Sequence, residues 1–337
     1  MDEFRQKKDS LDRECRLLCN AVLQKKNLTI IPNHLRSKIT YQGGIGTHFE
    51  QDFLMNEYHL DGTGWATPFL LVPEVTTLDT KTRNLLKNAV QNDCYLSGIS
   101  PLGVPFNTVR GTDSEEQKNN RIQDGKPGSP CPKGYLISNT EFSKQPVCKA
   151  SVFYQKRKIE QLKLLNLLSD DYNDKFLQVV EKACLCEDLA APALIEYKIS
   201  NNRPLKPTVC AGPNIAYFNK VSTLKEMIDH IYGRANLIND HKRPPFFMAE
   251  LRMYIDYFRK ELKTASEKIS KIELKRWNTF AKNLQEGIQY YMSIVVDKYP
   301  VNNDVRRLII DDILDIKSVI DDLVQNHLNI LCPSSSC

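Results

Sequence analysis

No stretch of the 337-residue chain approaches about eighteen consecutive apolar residues, and runs such as 69–72 are strand-sized, so a membrane span is not expected. Nor is there a strong excess of one charge. The 46 Lys and Arg against 41 Asp and Glu leave +5, a weak pull on a polyanion, and nucleic acid is not an expected partner. The N-terminal MDEFRQKKDSLDRECRLL lacks an apolar h-region, so no cleaved signal peptide is expected and the chain reads as soluble and cytoplasmic. Glycine is scarce at 14 residues, with 41% hydrophobic and 26% charged residues, which excludes collagen-like, fibrous and disordered chains. No repeat of roughly 20 to 50 residues is visible. The sequence also shows no paired-carboxylate or Ser–His–Asp arrangement, so its reaction cannot be read directly.

What the chain does have is ten cysteines and enough length for two domains, or one large domain with an appendage. In a reducing compartment clustered cysteines point to metal or catalytic chemistry rather than to disulfides.

Three segments are expected: 1–40, an N-terminal helix and extension; 41–240, an α/β (or α+β) core with a loop-rich cysteine segment; and 246–330, a helical bundle. Over residues 10–25, Leu11, Leu17, Leu18, Ala21 and Val22 suggest a short amphipathic helix. Residues 39–42 read as a strand, HFEQDFLMNEYHL as a helix, WATPFLLVPE as a strand and 79–90 as a helix, an alternation typical of α/β folds. Residues 111–150 are polar and rich in Gly, Pro and Asn, which is loop chemistry. A helical pair split by SDDYND follows. From Phe246 onward three apolar helical repeats, broken at TASE and YPVNND, predict a bundle. Within it, a basic run at 259–276 and an aspartate-rich run at 304–322 are expected to complement each other, and a protein partner could dock on the bundle.

Five cysteines, Cys131, Cys148, Cys184, Cys186 and Cys210, fall within 80 residues, in SPCPKGY, QPVCKAS, KACLCEDL and TVCAGPN. Thiolates suit zinc or an iron–sulfur cluster, and a Pro after Cys131 suits a cluster loop, although the spacings match no standard pattern. The competing reading is buried free thiols. Cys15 and Cys19, four apart on the first helix, are expected in the core, and Cys332 and Cys337 in a frayed tail.

The turn ITYQGGIGTHFEQ places Gly43, Gly44 and Gly46 before a helix whose start is marked by a Thr47–Glu50 capping box. Free N–H groups at such a turn could hold a phosphate of a small-molecule ligand, although the P-loop Lys and the dinucleotide spacing are missing. A tight turn without a ligand is the plainer reading. His230, near Arg234, reads as a core histidine, and Glu187, Glu226 and Asp229 as possible acids or bases.

The GGI turn is similar to that before the phosphate-binding helix of flavin-dependent (β/α)8 barrels, including nitronate monooxygenases, which implies a flavin. More broadly, GGIGTxxE, DGTGWATPFLLVPE, YLSGISPLGVPFN, KPGSPCPKGYLISNTEF, PVCKASVFYQK, CLCEDLA, CAGPNIAYF and EMIDHIYGR, occurring in order over about residues 41–260, resemble a bacterial family to which no activity is attached. Its members carry a longer N-terminal region, so the resemblance implies a C-terminal piece of a longer protein. The functional expectations are therefore a metal- or iron–sulfur-binding enzyme with a phosphate-holding turn, a zinc-stabilised interaction module without catalysis, or a flavin barrel oxidoreductase.

Overall fold

Helices make up 57% of the computed structural model and strands 6%; it describes residues 2–199, 203–239, 243–263 and 270–327. The N-terminal half runs α1 (Asp2–Lys25), β1 (Thr40–Gln42), α2 (His48–Glu57), β2 (Gly62–Gly64), α3 (Thr80–Asn88), β3 (Cys94–Ser97), β4 (Phe106–Val109) and α4 (Asp113–Gln123). The remainder is helical: α5 (Val152–Leu164), α6 (Ser169–Val180), α7 (Leu185–Asp188), α8 (Ala191–Glu196), α9 (Leu224–Ile231), α10 (Phe246–Lys263), α11 (Lys271–Asp297) and α12 (Asn303–Asn326). No helix among the described residues is long and apolar enough to cross a membrane.

The expected α/β (or α+β) core holds only in coarser form, as a mostly helical structure with small sheets. Among the described residues the named strands form only two two-stranded sheets, parallel β1–β2 and antiparallel β3–β4. Four short strands cannot close a (β/α)8 barrel. The run WATPFLLVPE is not a strand: Thr67–Leu71 is a 3₁₀ helix with Pro68 in its first turn. Its apolar residues, Leu71 and Val72 above all, are buried with Leu86, Val109, Ile215 and Met227. A short apolar run flanked by Pro fits either structure, and periodicity does not separate them.

Other boundaries shift for readable reasons. The polar stretch expected to be loop contains α4, because Thr112 caps the Glu115 N–H and three acidic residues stand in the first turn, favourable at the positive end of a helix dipole. The same logic makes SDDYND the first turns of α6, with Asp170 and Asp171 leading, rather than the break before it. α1 is longer than expected and buries no residue. It is held instead by polar contacts, Arg5 with Glu57 and Lys8 Nζ donating to the His59 carbonyl at 2.5 Å. Cys15 and Cys19 are therefore exposed rather than core. Ile269, the TASE break, Cys332 and Cys337 lie outside the described residues.

The C-terminal helices α10–α12 pack together as expected. Phe247, Phe258, Ile313 and Ile320 are almost completely enclosed between them. The same apolar cluster takes in Phe53 and Leu54 of α2 and Tyr58 just after it, and the Tyr58 and Tyr290 hydroxyls hydrogen-bond at 2.8 Å. The expected pairing of the basic run 259–276 with the aspartate-rich run 304–322 is not seen among the described residues. Asp312 takes Arg252 at 3.0 Å, whereas Arg276 pairs with Glu261 and Arg259 with Asp256.

Candidate functional site

Residues 124–151 have little regular structure, so their order depends on isolated bonds. Ser129 N–H donates to the Ala150 carbonyl at 2.8 Å and Val152 N–H to the Ser129 carbonyl at 2.9 Å, while Asn139 and Val147 exchange both backbone bonds. Gly128 sits at φ +92°, and a Cβ there would stand 2.8 Å from the Val152 backbone, so the crossing requires glycine. Arg121 of α4 donates to the Gly128 carbonyl at 2.6 Å. On the facing side, Ala183 N–H donates to the Ile99 carbonyl at 3.0 Å, and Ile99, Ala183 and Leu185 form a small apolar cluster.

These two pinned segments bring four of the five singled-out cysteines to one place. Cys131, Cys148, Cys184 and Cys186 line a single cavity of about 10 Å³, with Lys133, Gly134 and Pro101. That is the room of one water or one ion. Cys148 is buried, and Cys131, Cys184 and Cys186 are half-buried. Burial raises the Cys148 and Cys184 thiols to about 11, so both are protonated at neutral pH without a positive partner. Cys131 holds φ +52°, a left-handed conformation disfavoured for a residue with a Cβ, and Pro132 follows it. Such strain costs on the order of 1–3 kcal/mol and persists where the surroundings impose it. Cys210 is exposed and is not part of this cavity. Among the described residues no three His, Cys, Asp or Glu side chains stand in a ready metal-ligating arrangement. The four thiols share a cavity without being drawn in to bonding distance of a common point.

The glycine turn is closed by the protein's own carboxylate. Thr47 and Glu50 make the capping box of α2. Glu50 Oε2 accepts from the Gly46 and Thr47 N–H groups at 2.8 and 3.2 Å, where a phosphate oxygen was expected. Glu50 Oε1 accepts from Arg243 Nη1 at 2.7 Å and from Phe246 N–H at 2.9 Å. The Arg243 guanidinium lies 2.5 Å from where a Cβ on Gly46 would be, so a side chain there would push it off its present seat. Arg243 and Asn214 both donate to the Gly44 carbonyl, at 2.8 and 2.7 Å. Gly43 and Gly44, both at positive φ, shape the turn. The arrangement is a clasp between α2 and α10. It was not legible in the sequence, where Arg243 stood in a presumed boundary.

His230 belongs to the same clasp. It is buried, with Nδ1 accepting from Leu237 N–H at 3.2 Å and Nε2 donating to the Gly46 carbonyl at 2.9 Å. That pattern is the neutral imidazole with its proton on Nε2, and burial pushes its pKa down. The rings of Trp65 and Phe218 meet it edge-on, so His230 is the satisfied core residue expected. Asp229 is tied to Lys225 and Arg234, and Glu226 caps α9. Glu187 lies on α7.

A helical protein in which an irregular segment and the start of α7 bring four thiols to one cavity is the class these features define. Comparison with protein-family models, with curated proteins and with solved structures finds no match to this chain.

Proposed function

We propose that Cys131, Cys148, Cys184 and Cys186 hold one metal ion, zinc in the first place, and that this centre makes the loop-rich segment a rigid part of a binding module. The reading is carried by the convergence of four thiols, from chain positions up to 55 residues apart, on a cavity the size of an ion. Closed four-thiolate sites are the structural kind, since a catalytic zinc keeps one position open. Lys133 on the cavity would offset part of the negative charge that four thiolates leave on the ion. The strained Cys131 and the scarcity of regular structure in 124–151 both fit a segment ordered by a bound ion.

An iron–sulfur cluster in an enzyme is the second reading, favoured by Pro132 after Cys131 and by the half-buried setting of the thiols. Anaerobic purification followed by metal analysis and absorbance separates the two. About one equivalent of zinc and no visible band supports the first reading. Iron with a band near about 400 nm supports the second. Protein that is fully folded with neither metal, and takes up neither, overturns both.

A further inference from the structure

A second, much larger space lies between β3, α5, α6 and α10. It is a cleft of about 1050 Å³, at the upper end of the range that takes cofactor- and nucleotide-sized ligands. Its charge is uneven. Lys149, Lys158, Lys182 and Lys260 reach it from four different parts of the chain. Lys182 is half-buried with its ammonium on the Gly98 carbonyl; Glu181 attracts it, and Lys149 and Lys260 repel it. Lys149 is half-buried and makes no hydrogen bond or ion pair among the described residues. The carboxylate nearest to it in influence, Glu141, is already engaged by Lys158 at 2.6 Å and by the Tyr154 hydroxyl at 2.9 Å.

Three acids also line the cleft; Glu181 stands among the lysines, while Asp256 and Glu261 are held by arginines. Glu181 accepts from Gly98 N–H at 2.7 Å and lies 3.9 Å from Lys260. Asp256 pairs with Arg259 at 2.7 Å, and Glu261 with Arg276. With Glu181 alone among them, Lys149, Lys182 and Lys260 leave an excess of positive charge on the cleft, and an anion offsets it. Beside them Leu162, Val179 and Met253 provide an apolar wall.

We propose that this cleft binds an anionic organic molecule of nucleotide size, its phosphate or carboxylate seated at Lys149, Lys182 and Lys260 and its body against Leu162, Val179 and Met253. The site is separate from the four-cysteine cavity, which has its own lysine, Lys133.

Calorimetric titration of the full chain tests this with adenosine monophosphate and decanoate as the two anionic probes and adenosine as the neutral one. Saturable binding of either anion, weakened roughly tenfold or more by Lys149→Gln and retained by Lys149→Arg, is the expected result. AMP binding points to a phosphorylated ligand, and decanoate binding to a carboxylate. Lys225→Gln, which alters an exposed lysine of α9, should leave affinity unchanged. Should Lys149→Gln fail to fold, Lys260→Gln carries the same comparison. Binding of neither anion, equal binding of adenosine and AMP, or indifference to both lysine variants overturns the proposal. Metal content read on the same samples distinguishes loss of ligand binding from loss of the cysteine centre.

Discussion

Arg243 and Glu50, 193 residues apart, form an ion pair of 2.7 Å with side chains only 6% and 2% exposed. The pair joins the chain just before α10 to the first turn of α2, and no water is needed to complete it, because every Glu50 oxygen also accepts from a backbone N–H. Removing one member of a buried pair leaves the other charged and unsolvated. Glu50→Gln is therefore expected to destabilise the protein by about 3–5 kcal/mol in denaturant unfolding. The double variant Glu50→Leu with Arg243→Met should remain well below wild type, because the carboxylate also serves Gly46, Thr47 and Phe246. Full recovery in the double variant would mean that those three bonds count for little.

If the four thiols hold zinc, Cys184→Ser should lower the retained metal from about one equivalent to a small fraction of it, while Cys210→Ser should leave it unchanged. Elemental analysis of the purified variants decides this. Stripping the metal with a chelator should lower the melting temperature, and adding zinc back should restore it.

Gly128→Ala is expected to cost about 1–3 kcal/mol, from the positive φ and the approach to the Val152 backbone. Gly125 also has positive φ, but a Cβ there would meet nothing within 4 Å, so Gly125→Ala should cost less. Thermal melts of the two variants give the comparison directly.

His230 sets a pH dependence whose sign follows from its burial. In the unfolded chain the imidazole gains a proton near its ordinary value of 6.5, whereas the folded form holds it neutral to lower pH. Between those two values the unfolded state binds more protons, so stability falls as the solution is acidified below about pH 6.5, by at most about 1.4 kcal/mol per pH unit from this group. Melting curves from pH 7 to pH 5 should show that slope in the wild type. In His230→Gln the slope should be shallower; an unchanged slope would assign it to other groups.

The sequence made some of this legible and hid the rest. The bundle announced itself because α10–α12 are long and carry their apolar residues at helical spacing, the strongest signal a single sequence offers. Thr47 with Glu50 marked the start of α2 for the same local reason. The α/β expectation failed at residues 66–72, where a buried 3₁₀ turn and a buried strand have the same composition. α4 was hidden because a surface helix with Ser114 as its only buried residue has almost no apolar stripe. Proximity in sequence made Cys210 look like a fifth member of the cysteine group, but only three-dimensional placement separates it from Cys131, Cys148, Cys184 and Cys186. The Glu50–Arg243 clasp and the lysine cluster of the cleft each depend on residues more than a hundred positions apart, which no local pattern reports.

The uneven exposure of the thiols gives the molecule a built-in chemical clock. Cys15, Cys19 and Cys210 lie open, while Cys148 is enclosed. An alkylating reagent therefore reaches the first three directly, Cys210 the more slowly because burial raises its thiol, and reaches the last only when residues 124–151 swing away. The lag between those labelling events measures how often that strap opens, and its lengthening on addition of zinc would register the ion without any spectroscopic signal.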